Sequence, residues 1–248
     1  MRIILSPAKK MNVDTDKLEP KGIPVFLKQT QEILNWMKNQ SYKDLKKLWG
    51  CNEGIAEKNF RRIRDMDLGK MLTPAILSYE GIAFQYMAPA VFEERCFDYV
   101  EEHLRILSGF YGVLKPMDGV TPYRLEMQSK ASINGYKDLY DFWGSSLYNE
   151  VKDESGVVVN LASKEYSKCI EKYLQPEDRY VTVIFGEMSN GKFVTKGTYA
   201  KMARGEMVRY MAEHEIEEPD DIKFFDRLGY VYRKDLSDDT DIVFERQT

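Results

Sequence analysis

Two hydrophobic periods alternate along the chain. Residues 2–5 form a short apolar, β-prone run that stops at Ser6-Pro7. A proline disfavours helix at the residue before it, so Ser6-Pro7-Ala8-Lys9-Lys10 is expected as a loop leaving a strand end. Residues 12–22 are polar and turn-rich, as in an exposed loop. Residues 24–39 begin with proline and carry Phe26, Leu27, Ile33, Leu34 and Met37, which predicts a helix. Ser41 is placed to cap a second helix, with Asp44 in its first turn and Leu45, Leu48 and Trp49 as its apolar face. Gly50-Cys51-Asn52 breaks it, and Ile55, Ala56, Phe60 and Ile63 mark a third helix.

Further on, 75–79 reads as a strand ended by Gly81, 92–103 as a helix, and 104–107 as a strand. Lys115-Pro116-Met117-Asp118-Gly119 is turn chemistry. A helix is expected over 138–151, a buried strand over 156–161 and a helix over 164–173. Residues 180–185 and 192–195 flank an Asn190-Gly191 hairpin turn. The longest helix is expected over 198–215, and short strands over 230–232 and 242–244. There is no repeat, no low-complexity segment and no clear linker. Strands and helices mix without a regular βαβ beat. The expectation is therefore an α+β fold, one compact domain over 1–248, with a mixed sheet and surrounding helices.

The 43% apolar content is enough for a substantial core. No apolar run approaches a membrane span, and the start of the chain lacks signal-peptide character. No membrane partner, metal or cofactor is expected, and a monomer is the default. Cys51, Cys96 and Cys169 are odd in number and far apart, so they read as reduced thiols in a cytoplasmic protein. Net charge is −4, but it is unevenly spread. Over 41–64, seven basic residues face three acids, while acidic blocks lie at 213–221 and 235–241. A local anion site fits within this acidic protein.

Three segments concentrate candidate chemistry. On the helix over 198–215, Tyr199, Ala203, Met207, Tyr210 and Met211 share one side, and Lys201, Arg204 and Arg209 lie opposite. A solvated basic face is the plain reading. Gly205 argues for more, because a helical glycine costs about 1 kcal/mol against alanine and permits close approach by another chain or a ligand. The second segment, 104–127, holds Arg105 and Arg124, each able to grip phosphate or carboxylate in bidentate fashion, with Tyr111 and Tyr123 as stacking faces. A simple Arg124–Glu126 pair competes with a ligand role. Lys9 and Lys10, directly after a strand, make the third segment. Lys9 or Lys201, if desolvated, would serve as a base or Schiff-base amine.

The basic block over 41–64 is helix, glycine-containing break, helix. In a helix-hairpin-helix the turn N–H groups hold a DNA phosphate, which would involve Gly54, with Lys46, Lys47, Lys58 and Arg61 adding attraction. An ordinary basic helical hairpin fits the pattern as well. His103 and His214 have no ligand spacing, no two cysteines are close, and no nucleophile motif is present.

Ser6-Pro7-Ala8-Lys9, the stretch 104–127, 137–144, Asn160-Leu161-Ala162-Ser163-Lys164-Glu165-Tyr166 and Tyr199-Ala200-Lys201-Met202-Ala203-Arg204-Gly205 together resemble the YaaA peroxide-stress protein family. The resemblance implies a bacterial cytoplasmic protein that limits peroxide damage by restraining unincorporated iron. It also implies an unusual α+β fold with a positively charged cleft, a helix-hairpin-helix and binding of duplex or branched DNA. Three functions follow for testing. One is DNA binding, with Tyr111, Tyr123 or Trp143 stacking on an exposed base. Another is an enzyme acting on a nucleotide or a modified base in nucleic acid, which requires one deep pocket and not an open groove. The last is iron sequestration through His103, His214 and the acidic blocks.

Overall fold

The computed structural model describes residues 1–16 and 18–247; Lys17, within the expected 12–22 loop, and Thr248 lie outside them. In chain order the strands are β1 (Arg2–Leu5), β2 (Lys10–Met11), β3 (Thr73–Pro74), β4 (Tyr79–Glu80), β5 (Leu104–Ser108), β6 (Gly112–Leu114), β7 (Gly119–Val120), β8 (Val157–Asn160), β9 (Arg179–Ser189), β10 (Lys192–Val194), β11 (Tyr230–Tyr232) and β12 (Asp241–Arg246). The helices are α1 (Leu27–Lys38), α2 (Tyr42–Trp49), α3 (Glu53–Asp65), α4 (Ala75–Ser78), α5 (Ile82–Met87), α6 (Glu94–His103), α7 (Leu139–Trp143), α8 (Ser146–Val151), α9 (Lys164–Glu171) and α10 (Gly197–Glu213).

A mixed sheet runs β11-β12-β9-β8-β1-β5-β6, with β10 hairpinned onto β9. Its five central strands, β12 to β5, are parallel, and β6 and β11 are antiparallel edges. Strands covered on both faces read as continuous apolar runs, and Ile3-Ile4-Leu5 is fully buried for that reason. The fold is α+β in composition, but its sheet has a parallel centre. The βαβ beat is hard to read because only β8-α9-β9 is a short crossover, while long excursions separate β1 from β5 and β5 from β8. From β1 the chain crosses to β5, and from β8 it crosses the other way to β9. The C-terminal ends of β1 and β8 therefore flank a point where the winding reverses, which in parallel sheets opens a ligand crevice.

Several expected elements differ. Residues 75–78 form a single helical turn, α4, and only Tyr79 of the expected strand 75–79 lies in one, β4. The Ala75 and Ile76 N–H groups donate to the carbonyls of Asp118 and Pro116 at 2.9 and 3.0 Å. So short an apolar run does not distinguish helix from strand, and these tertiary partners decide it. Gly81 follows the end of β4 and directly precedes α5. The helix expected over 138–151 is split by Gly144, whose φ of 51° is incompatible with helix continuation. The Asn190-Gly191 turn forms as expected, both residues having positive φ.

Candidate functional site

At the winding reversal lies a cavity of about 380 Å³. The loop after β1 supplies Ser6, Pro7, Ala8 and Lys9; the loop after β8 supplies Leu161 and Ser163; α9 adds Glu165 and Tyr166. The segment Tyr123-Arg124-Leu125-Glu126 forms another wall, and α5 and α10 close the last with Ala83, Phe84, Lys201 and Arg204.

Close backbone packing fixes this last wall. A Cβ on Gly205 would sit 1.8 Å from the Ala83 carbonyl oxygen, and one on Gly81 would sit 2.7 Å from the Ala8 Cβ. Gly205 thus admits α5 of the same chain, and not a ligand or a second chain. Behind the Tyr123 wall, the Tyr123 hydroxyl bonds with Tyr79 at 2.8 Å and Ser108 at 2.6 Å. Burial pushes the Tyr79 and Tyr123 hydroxyls above their usual range, so both stay neutral. The N–H groups of Phe110 and Tyr111 donate to the Ser108 hydroxyl, leaving this network well supplied with partners.

Charge in the cavity is unequally matched. Lys10 pairs with Glu80, and Glu126 is shared by Arg124 at 3.2 Å and Lys9 at 3.4 Å. Lys201 and Arg204 have no carboxylate partner among the described residues. Arg204 is mostly buried, its Nε is sealed from solvent without an acceptor, and burial alone pushes its pKa down. A buried guanidinium with no counter-charge is costly, and an anion in the cavity would offset that cost. Ser163 precedes α9, yet its side chain does not cap the helix. It lies 3.1 Å from the Ser6 hydroxyl, which also accepts the Ser163 N–H at 2.8 Å. The first turn of α9 therefore opens beside this serine pair, with the positive end of its dipole toward the cavity loops.

Six of the sequence candidates meet here: Lys9, Lys10, Tyr123, Arg124, Lys201 and Arg204. Arg105 does not. It is buried on β5, where its Nη1 donates to the carbonyls of Glu101 and Leu104 at 3.0 and 2.8 Å and caps the end of α6. Arg209 is also elsewhere. Its Nε donates to Glu213 at 2.7 Å, and Glu213 in turn accepts from Arg227 at 2.6 Å. Burial works to raise the Glu213 pKa, but the two guanidinia outweigh it and hold the carboxylate low. Tyr111 and Trp143 are core residues and not stacking faces: the Tyr111 hydroxyl bonds Thr121, and the Trp143 indole donates to Gly109 O at 3.1 Å. Lys9 and Lys201 are both exposed, so neither is the desolvated amine that Schiff-base chemistry asks for. The sequence reading gave no role to Ser163, Glu165 or Tyr166. The signal for Ser163 is the one that picked out Lys9, a loop leaving a buried strand, and Glu165 and Tyr166 follow in the first turn of α9.

The block over 41–64 folds as the two expected helices. Ser41 caps α2 by accepting the Asp44 N–H at 3.2 Å, Gly50 ends it at φ 52°, and Asn52 caps α3 by accepting the Ile55 N–H at 3.0 Å. Gly54 lies inside the first turn of α3, not in the connection. Lys46 is tied to Glu53, whose pKa it lowers by hydrogen bonding, whereas Lys47, Lys58 and Arg61 are exposed. None of these residues reaches the cavity.

A family model for peroxide stress protein YaaA matches residues 1–236. The chain belongs to the peroxide stress protein YaaA family. A family protein from Agathobacter rectalis, named UPF0246 protein, is 65% identical over 247 residues, covering 100% of this chain and 99% of its own length. UPF0246 proteins of Lachnoclostridium phytofermentans and Limosilactobacillus reuteri are 56% and 53% identical, over 98% and 99% of this chain and 96% and 99% of their own. Among the described residues no group of three or more His, Cys, Asp or Glu side chains is arranged to hold a metal ion. His103 is occupied in packing the N-terminus, its Nδ1 lying 2.8 Å from the Met1 carbonyl. The three cysteines are free thiols, and burial pushes Cys169 up to about 12, which leaves it unreactive. No helix among the described residues is long and apolar enough to cross a membrane.

Proposed function

We propose that this chain is a cytoplasmic DNA-binding protein of the peroxide response that takes one unpaired or extruded nucleotide into the cavity at the ends of β1 and β8. The observation that carries this reading is Arg204, a mostly buried cation without a counter-charge among the described residues, facing a cavity whose other walls are largely apolar and aromatic. A nucleotide matches both halves. Its base suits Phe84, Tyr123, Tyr166 and the neighbouring aliphatic walls, and its phosphate suits Arg204, Lys201 and the open turn of α9. The volume lies within the usual range of about 300–1,000 Å³ for ligand sites. The α2–α3 hairpin, with Lys47, Lys58 and Arg61 exposed, would add sequence-independent attraction to the DNA backbone. In this reading the protein limits iron-dependent damage by occupying DNA, and no iron site is assigned to it.

Fluorescence anisotropy on single-stranded, branched and duplex oligonucleotides tests the proposal. Binding is expected to be sequence-tolerant, to fall steeply with salt, to favour strands with unpaired nucleotides, and to be lost in the Lys201→Ala/Arg204→Ala double variant. Absent or salt-independent binding overturns it.

A second reading is favoured by one feature: the site is a pocket and not an open groove. An enzyme acting on a nucleotide or a modified base would use the Arg124–Glu126 pair, the Ser6–Ser163 pair and Glu165 as its polar groups. Incubation with oligonucleotides carrying oxidised bases, followed by mass analysis, separates the two. A mass change abolished in Glu126→Gln selects the enzyme, and an unchanged substrate selects the binder.

A further inference from the structure

A second cleft, of about 640 Å³, adjoins the cavity and shares Lys9 and Glu126 with it. Its far side is the end of α2 with Lys47 and Trp49, flanked by Trp36 of α1 and by Lys130. The cleft holds three lysines, Lys9, Lys47 and Lys130, against two carboxylates, Asp44 and Glu126. Both carboxylates are engaged: the Ser41 hydroxyl donates to Asp44 at 2.5 Å, and Glu126 serves Arg124 as well as Lys9. Lys47 and Lys130 are exposed and without carboxylate partners among the described residues. Trp49 is only 2% exposed, yet its indole N–H has no acceptor among the described residues. Buried indole N–H groups ordinarily find one.

We propose that this cleft is a second nucleotide subsite, so that the ligand is a single strand of at least two nucleotides passing over Lys9 from one pocket into the next. This rests on the nucleotide reading of the cavity. Lys9 stands at the shared wall, where the linking phosphate must pass. Trp36, half-buried, offers a face to the second base, and Lys47 and Lys130 take the outer phosphate. The Trp49 N–H is sealed from the cleft and is not one of the contacts to the second nucleotide. The hairpin enters recognition through the end of α2, and not through the Gly50-Cys51-Asn52 turn.

The test measures, by calorimetry on the full chain, the binding of thymidine 5′-monophosphate and of the thymidine dinucleotide phosphorylated at both its 5′ and 3′ ends, which carries the cavity, linking and outer phosphates. Tryptophan fluorescence is the second readout. The dinucleotide is expected to bind about tenfold tighter and to quench tryptophan emission where the mononucleotide does not. Trp36→Phe should remove that quenching. Lys47→Gln/Lys130→Gln, a change confined to exposed side chains, should erase most of the tenfold gain and leave mononucleotide affinity unchanged. Equal affinity for the two ligands overturns the subsite while leaving the cavity reading intact. A gain that survives the double variant, or a loss shared equally by both ligands, also overturns it. Binding of neither ligand overturns the subsite and the cavity reading together.

Discussion

The cavity and the α2–α3 hairpin are both rich in cations, and they differ in what those cations cost. On the hairpin, Lys47, Lys58 and Arg61 reach into solvent, and the one paired lysine, Lys46, is held by Glu53 on the same hairpin. Such charges are cheap to keep, are screened within about 10 Å at ordinary salt, and attract any polyanion. In the cavity, Arg204 is mostly withdrawn from water without a counter-charge among the described residues, next to the residue, Gly205, at which α10 touches α5. Charge of that kind is retained at a cost to the unliganded protein. It pays back only when an anion arrives, in a medium where Coulomb attraction is several-fold stronger than at the surface. Positive charge alone therefore does not locate the site; unrelieved positive charge does.

The comparison is broken most directly at two glycines. Gly205→Ala should destabilise the protein by about 3 kcal/mol or more, because its Cβ would overlap the Ala83 backbone, and a urea melt would read this. Gly54→Ala should instead be neutral or stabilising by up to about 1 kcal/mol, since open space surrounds it inside a helix. A Gly205→Ala protein of normal stability would remove the rigid wall from the account.

Arg204→Ala should lower affinity for a mononucleotide by about 100-fold while raising or preserving thermal stability, since it deletes an unpaired buried charge. Loss of binding together with lost stability would make Arg204 an ordinary packing residue.

pH should act on the central region and hardly on the hairpin. Burial raises the Asp118 carboxyl to about 6, although its Oδ2 accepts the Lys115 N–H at 2.8 Å. A folded pKa above the unfolded one means that the folded state binds the extra proton. Stability from this group is full below about pH 4 and is lost as pH rises through about 6, an effect of up to about 3 kcal/mol. Asp118→Asn should flatten that part of the stability–pH curve relative to the parent chain. Parallel curves would show that Asp118 titrates normally.

The smallest effect is expected at the hairpin. Lys58→Gln/Arg61→Gln should weaken binding of long oligonucleotides about tenfold at low salt and reduce the salt slope by one to two contacts, with mononucleotide binding unchanged. An equal loss for both ligands would merge the two regions into one site.

Much of the frame was legible in the sequence. Ile3-Ile4-Leu5 and Val157-Val158-Val159 announce buried strands, the cap Ser41 marks a helix start, and Asn190-Gly191 marks a hairpin, because these signals are local. The cavity was legible in part for the same reason: loops leaving buried strands flagged Lys9, and a helical wheel flagged Lys201 and Arg204. That wheel could not separate Arg204 from Arg209. The partner of Arg209 one turn on, Glu213, is local, but the burial of Arg204 is tertiary, on a helix whose next residue, Gly205, packs on α5, more than a hundred residues earlier. Arg105 misled because its strand neighbours look like a ligand-binding motif, whereas its acceptors are backbone carbonyls with no sequence signature. The parallel order of the sheet was hidden by the length of its crossovers.

Gly205 against Ala83 has a consequence for how this family can diverge. The spacing of α5 and α10 beside the pocket is set by two backbones touching, a dimension that side-chain substitution cannot adjust in small steps. Changes at Lys201, Arg204 or Phe84 can alter what is recognised while the vessel keeps its size. Ligand choice and the spacing of this wall are thus inherited through different residues, and relatives that differ at the rim but keep glycine at this crossing should accept different ligands of similar bulk.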